Sequence, residues 1–188
     1  MPSKSKSKGS GYEREQAKFL SEKYNGSFVR VPNSGAFIGG SNFHRATNLS
    51  EGQVRGFKGD IIPPDNWKYF NCECKFYKEF PWHHLLYDKK IPLLEDWIVQ
   101  TMEIAEDSDV NIIFMKFNRI GTYVAYQEHM NGIGWRSPIS TTYKSEKNGC
   151  WIITSAEEFW KYNSNAFENH CIEGATSSDL THSALYPI

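Results

Sequence analysis

The chain lacks several features that mark common classes of protein. It has no stretch of eighteen consecutive apolar residues, which excludes a conventional membrane-spanning helix. Its N-terminus has no apolar segment of the kind that a secretory signal carries, and only four cysteines occur in 188 residues. We therefore expect reduced thiols and a cytoplasmic protein, without a disulfide framework.

An excess of one charge is also missing, since 21 Lys and Arg stand against 22 Asp and Glu. This balance neither indicates nor excludes nucleic acid as a partner, because an acidic face can offset a basic one. The apolar fraction of 39% is sufficient for a hydrophobic core. We expect most of the aromatic residues to belong to that core.

Composition divides the chain into three parts. Residues 1–11 are almost entirely Ser, Lys and Gly, which predicts a flexible basic tail that is either a solubilising terminus or an arm that binds phosphates. Residues 12–162 are interpreted as one domain, and residues 163–188, rich in Asn, Ser and Thr, as a loosely packed tail. Within the domain, the polar segment 33–58 predicts a long loop that contacts the substrate.

Hydrophobic periodicity predicts the order of helices and strands. The order αβββαβ, followed by further strands, predicts an α/β fold with a central mixed sheet flanked by helices. The predicted elements are a helix over 12–24, strands over 27–31, 57–62 and 68–77, a helix over 93–107, strands over 110–117, 122–126 and 150–154, and a helix that begins at Ser155.

One acidic residue lies on the apolar face of the first predicted helix. Ala17, Leu20 and Tyr24 form a single stripe, and Glu13 lies four residues before Ala17 on the same side. Glu15 points elsewhere. A buried carboxylate costs free energy unless a charged group receives it, so Glu13 is a candidate functional residue.

Three further polar residues converge on two neighbouring predicted strands. Asp60 lies on one strand, and Glu73 and Lys75 lie on the next. Because side chains alternate along a strand, Glu73 and Lys75 share one face, whereas Cys72 and Cys74 share the other and are expected in the core. The polar pair is expected to face a cleft.

This set of residues suits metal-assisted hydrolysis of a phosphodiester. Asp60 and Glu73 offer hard oxygen ligands to Mg²⁺, with Mn²⁺ able to substitute, and Glu13 and the backbone carbonyl of Cys74 are further candidate ligands. Lys75 can orient or deprotonate the attacking water, or stabilise charge on the phosphate. The competing interpretation is a salt-bridge ladder on the surface of the sheet.

A second competing interpretation is a zinc site made of Cys72, Cys74, His83 and His84. The spacing Cys-x-Cys is not that of structural zinc sites, in which two to four residues separate the cysteines. Buried structural cysteines are the favoured interpretation.

Four segments in this order resemble the PD-(D/E)xK nuclease superfamily, and within it the archaeal-type Holliday junction resolvases and their viral relatives. The resemblance covers roughly residues 8–126. The segments are Glu13-Arg14-Glu15, Phe28-Val29-Arg30-Val31-Pro32-Asn33-Ser34-Gly35, Gly59-Asp60-Ile61 and Glu73-Cys74-Lys75.

The resemblance implies a Mg²⁺-dependent homodimer that cuts four-way DNA junctions by paired nicks, in recombination or repair, and in the host cytoplasm if the protein is viral. It implies Glu13, Asp60, Glu73 and Lys75 as catalytic residues. The predicted DNA-binding residues are Arg14, Arg30 and Ser34 from the resemblance, and Lys4, Lys6, Lys8, Arg45, Arg55 and Lys58 from the tail and the long loop.

The chain departs from compact resolvases in two places. The segment between Ser34 and Asp60 is longer, and some sixty residues follow Tyr126. Two alternatives therefore stay open: an endonuclease for duplex or single-stranded DNA in restriction, repair or genome degradation, and a DNA-binding module without catalysis.

Overall fold

The structure, a computed structural model, describes residues 4–31 and 58–174. The predicted long loop, apart from Lys58, lies outside the described residues. The last part of the predicted C-terminal tail, residues 175–188, lies outside them as well.

A five-stranded mixed sheet forms the centre of the fold, with strand order β3-β4-β5-β7-β6. β3 and β4 are parallel and the other neighbours are antiparallel. A small antiparallel pair, β1 and β2, lies before it in the chain. The strands are β1 (Val29–Arg30), β2 (Ile61–Ile62), β3 (Phe70–Tyr77), β4 (Val110–Phe117), β5 (Gly121–Gln127), β6 (Ser140–Lys144) and β7 (Cys150–Ser155).

Helices cover both faces of the sheet. α1 (Lys4–Tyr24) and α3 (Ala156–Glu173) pack on one face, and α2 (Pro92–Met102) packs on the other. Short 3-10 helices span Trp82–Tyr87 and Glu128–Ile133. No helix in the described part of the chain is both long enough and apolar enough to cross a membrane.

This architecture confirms the predicted α/β fold and its central mixed sheet. The alternation predicted for β3 is also confirmed. Cys72 and Cys74 are buried in the apolar cluster under α1 and α3. Glu73 pairs in register with Ile113, whose side chain belongs to the cluster under α2. The two faces of one strand therefore serve two purposes, packing on one side and a polar site on the other.

The predicted flexible tail is wrong for residues 4–11, which are the first part of α1. Tyr12, Ala17 and Leu20 are buried and anchor this helix against the sheet. Once such a helix is nucleated, each added residue gains a backbone hydrogen bond at little further cost. The Ser- and Lys-rich residues at its start therefore continue the helix.

The predicted loose tail is wrong for residues 163–173, which belong to α3. Phe167 and Cys171 are fully buried in the core. Asn163 is also buried. Its side-chain oxygen accepts from the backbone N–H of Arg136, and its side-chain nitrogen donates to the backbone carbonyl of Arg136. The prediction was wrong because it took polar composition as a sign of loose packing. An amide whose oxygen and nitrogen are both hydrogen-bonded can be buried at little cost in free energy.

Three smaller differences concern the ends of elements and one missed strand. The predicted strands over 27–31 and 57–62 shorten to β1 and β2, so Asp60 directly precedes a strand and does not lie on one. α2 ends at Met102, five residues before the predicted end. The Asp109 carboxylate accepts from the N–H of Glu106, and such local side-chain bonds compete with helix continuation. β6 was not predicted, since it is a mostly exposed edge strand in which only Tyr143 is buried.

Candidate active site

Asp60 is held against the edge of β3 by backbone and side-chain hydrogen bonds. Its N–H donates to the Cys72 carbonyl at 2.9 Å, and its own carbonyl accepts from the N–H of Val31 at 2.9 Å. Its carboxylate accepts from the N–H of Cys74 at 2.8 Å. The side chain is only 5% exposed, so its position is closely defined.

The approach of this segment to β3 requires a glycine. Gly59 has φ +69°, a left-handed conformation that side chains disfavour. A Cβ atom at this position would lie 2.2 Å from the Cys72 carbonyl oxygen. The glycine before Asp60 therefore lets the backbone come close enough for the Asp60 carboxylate to reach the next strand.

Glu73 and Lys75 complete a compact polar cluster on the α2 side of the sheet. The Lys75 ammonium donates to the Glu73 carboxylate at 2.7 Å and to the Gln100 side-chain oxygen at 2.6 Å. An ammonium has three N–H donors, and these two bonds occupy two of them. Within residues 4–31 and 58–174 the third donor has no assigned partner, which leaves it for an incoming oxygen.

Gln100 is the residue of this cluster that sequence reasoning missed. It lies on α2, whose end is tied to the sheet because Asn71 donates to the Thr101 carbonyl at 2.8 Å and to the Asn111 side chain at 2.7 Å. The available signal was weak: a polar residue at the edge of an apolar stripe, three positions after Trp97.

If both were ionised, Asp60 and Glu73 would carry two negative charges, of which the single Lys75 ammonium could offset only one. Burial raises the pKa of Glu73 to about 8, and the nearby Asp60 charge adds to this effect, while Lys75 opposes it. A cation placed between Asp60 and Glu73 would remove the repulsion and favour ionised Glu73.

Glu13 approaches the same region from α1. It is only 9% exposed, on the inward face that the sequence predicts, and it forms an ion pair with Arg30. Burial, and then the Asp60 charge, raise the pKa of the Glu13 carboxyl, whereas Arg30 opposes the rise. Within residues 4–31 and 58–174, no three His, Cys, Asp or Glu side chains converge as a metal cluster. Glu13 is thus near the Asp60–Glu73 pair without completing a three-ligand set.

The burial of the cluster contradicts the alternative of a surface salt-bridge ladder. Asp60 and Glu73 are each 5% exposed. The alternative zinc ligands Cys72 and Cys74 point into the core, and burial raises the pKa of both thiols, which disfavours thiolates.

The predicted DNA-binding residues have different outcomes. Arg14 is exposed on α1, and Arg30 pairs with Glu13. The prediction for Lys58 is wrong, because its side chain is buried and paired with Asp109. Ser34, Arg45 and Arg55 lie outside the described residues, as do the side chains of Lys4, Lys6 and Lys8.

The mixed sheet, with Asp60 beside a strand that carries Glu73 and Lys75, defines a PD-(D/E)xK nuclease-like protein. A family model described as "Phage putative PDDEXK endonuclease" matches residues 4–169, and the chain belongs to this family. Comparisons with curated proteins and with solved structures gave no match. The family is one of viral endonucleases, and PDDEXK nucleases generally use a divalent metal.

Proposed function

We propose that this protein is a Mg²⁺-dependent, structure-selective DNA endonuclease that resolves four-way junctions by paired phosphodiester hydrolysis. The observation that carries the proposal is the buried cluster in which Asp60 and Glu73 lie beside the Lys75 ammonium. The junction as substrate, and a homodimer with two active sites, come from the resemblance to resolvases. A two-fold dimer suits two symmetric cuts in a two-fold junction.

The donor set fits a magnesium ion. Mg²⁺ prefers oxygen ligands and is commonly bound through one or two carboxylates while it keeps several waters. Asp60 and Glu73 would hold it, with the backbone carbonyl of Cys74 as a further candidate ligand and Glu13 as an outer acidic residue. When bound, such an ion supplies charge neutralisation at the phosphate and lowers the pKa of a bound water.

The protein's own side chains would orient the reacting groups. Lys75 is fixed by Glu73 and Gln100, so its third N–H can stabilise a phosphate oxygen or orient the attacking water. Asp60 is fixed by the N–H of Cys74. Such pre-organisation lowers the barrier because these groups do not need to reorient during the reaction.

DNA contacts are proposed for a set of basic and hydroxyl residues. Arg14 is exposed on the same helix as Glu13. The remaining proposed contacts are Arg30, which would have to exchange Glu13 for a phosphate, and Lys4, Lys6, Lys8, Ser34, Arg45 and Arg55. Phosphate contacts of this kind supply affinity that falls with salt and carries no sequence preference.

The test is cleavage of a labelled four-way junction, a matched linear duplex and a matched single strand, each with Mg²⁺ and with EDTA. We expect metal-dependent paired cuts in the junction alone. Equal cutting of duplex or single strand would discard the junction and favour the alternative endonuclease. Tight binding of DNA without any cutting would favour the inactive binding module, although the intact Asp60, Glu73 and Lys75 set argues against it.

Glu13→Gln is expected to lower the cleavage rate by about 10- to 100-fold, because Glu13 is the proposed outer acidic residue of the metal site and forms an ion pair with Arg30. The matched control is Glu15→Gln on the same helix. Glu15 is exposed and bonds Lys116, and such surface pairs contribute little. Single-turnover rates for both variants measure the difference, and equal losses would contradict the assignment of Glu13.

A further inference from the structure

A buried ion pair lies just before the segment that carries Asp60. The Lys58 ammonium pairs with the Asp109 carboxylate, and the two residues are 5% and 1% exposed. The same carboxylate oxygen accepts from the N–H of Glu106 at 2.6 Å. Among the ion pairs of the described ranges, this one is the most deeply buried.

Stability alone does not account for this pair. Removing two charges from water costs free energy that their attraction often fails to offset, and a packed apolar pair is frequently as stable or more so. The other Asp109 carboxylate oxygen, Oδ1, is buried and has no hydrogen-bond partner within the described part of the chain. Among the described residues the pair is therefore incompletely satisfied, which favours a role in defining position.

The Lys58–Asp109 ion pair fixes the position of the Gly59–Asp60 backbone. Lys58 precedes Gly59, and Asp109 directly precedes β4, the neighbour of β3 in the sheet. The chain at 58–60 is thus tied to the start of β4 through the Lys58 side chain. It is tied to β3 through the bond from the Asp60 N–H to the Cys72 carbonyl.

We infer that Lys58 is a positioning residue, which with Asp109 anchors the Gly59–Asp60 segment so that the Asp60 carboxylate stays beside Glu73. The catalytic consequence rests on the proposed function, whereas the anchoring itself does not. Lys58 would act through the backbone of Asp60 and would touch neither DNA nor metal.

The experiment is amide hydrogen exchange, followed by NMR, in the double variant Lys58→Met/Asp109→Leu. This variant removes both charges together and leaves neither one buried alone. The reporters are the N–H groups of Asp60 and Cys74, which donate to Cys72 and to the Asp60 carboxylate. Val124 in β5 is the reference amide.

We expect protection at Asp60 and Cys74 to fall by about tenfold or more, while protection at Val124 and the urea midpoint stay close to the wild type. The matched control is Lys90→Met/Glu146→Gln, which removes an exposed ion pair. It should leave the Asp60 and Cys74 amides unchanged.

Unchanged protection at Asp60 and Cys74 in the folded double variant would overturn the inference. If the apolar pair fails to fold, the neutral pair Lys58→Gln/Asp109→Asn keeps a hydrogen-bonding group on each side and is measured in the same way, with the same two outcomes.

Parallel junction cleavage separates this inference from the proposed function. If the wild type cleaves, the double variant should show a lower kcat with an unchanged KM for DNA, because the defect lies in the placement of Asp60. If the wild type does not cleave, the proposed function fails, yet the exchange result still decides the anchoring, since it needs neither metal nor DNA.

Discussion

Asp60→Asn is expected to abolish cleavage, with a loss of at least about 1,000-fold, while DNA binding and folding are kept. The amide oxygen can still accept from the Cys74 N–H, so the contact that orients this side chain survives. What is lost is the negative charge that, with Glu73, would hold a divalent cation. Glu73→Gln should have the same effect, because it removes the other carboxylate.

Asp60→Asn is also expected to affect the thermal stability of the metal-free protein. Burial, and then the Asp60 charge, raise the pKa of Glu73 to about 8. Without a cation, Glu73 is therefore largely protonated at neutral pH, and two ionised carboxylates repel each other only above that pKa. Above pH about 8, Asp60→Asn should therefore leave the melting temperature of the metal-free protein equal to that of the wild type or higher.

The measurements are single-turnover cleavage, DNA binding by fluorescence anisotropy in EDTA, and thermal unfolding. Asp88→Asn makes the same chemical change at an exposed position and serves as the control. Full activity in either Asp60→Asn or Glu73→Gln would refute the metal site, whereas a loss of folding would make the position structural.

Gly59→Ala is expected to destabilise the protein by about 3 kcal/mol or more and to remove most of the cleavage activity. An added Cβ would meet the Cys72 carbonyl oxygen at 2.2 Å, so the backbone of the Asp60 segment must move away from β3. A displacement of about 1 Å at a reacting group can cost about 100-fold in rate.

Gly149→Ala is a closely matched control. Gly149 has the same φ of +69°, but nothing lies within 4 Å of the position that its Cβ would take. This variant should be destabilised only by the left-handed backbone conformation, by about 1–2 kcal/mol, and should keep its cleavage activity. Urea unfolding of both variants isolates the effect of the clash, and equal destabilisation would contradict it.

The sequence predicted best those elements whose pattern is dictated by local burial. The bounds of β4, Val110–Phe117, agree with the prediction because this strand is buried on both faces and reads as a continuous apolar run. β6 escaped prediction because an exposed edge strand has no such pattern. The start of α1 and the length of α3 were not predicted, because buried residues elsewhere in each helix stabilise it and the helix then extends through polar residues.

In the candidate site, too, the residues whose orientation follows from local periodicity were predictable from the sequence. Strand alternation brought Glu73 and Lys75 to one face, and helical phase turned Glu13 inward. The partners Gln100 and Asp109 could not be predicted, because each meets its lysine only through tertiary packing between distant parts of the chain. A lysine in a polar segment resembles a phosphate contact until its buried partner is known.

The residues that flank segment 32–57 at both ends are fixed close to Asp60. Val31, directly before the segment, donates its N–H to the Asp60 carbonyl, and Lys58, directly after it, lies two positions before Asp60. When both ends of a connection are fixed, doubling its length adds only about 0.6 kcal/mol of closure entropy. The length of this segment can therefore change at little cost in free energy, while its two fixed ends, and Asp60 with them, keep their positions.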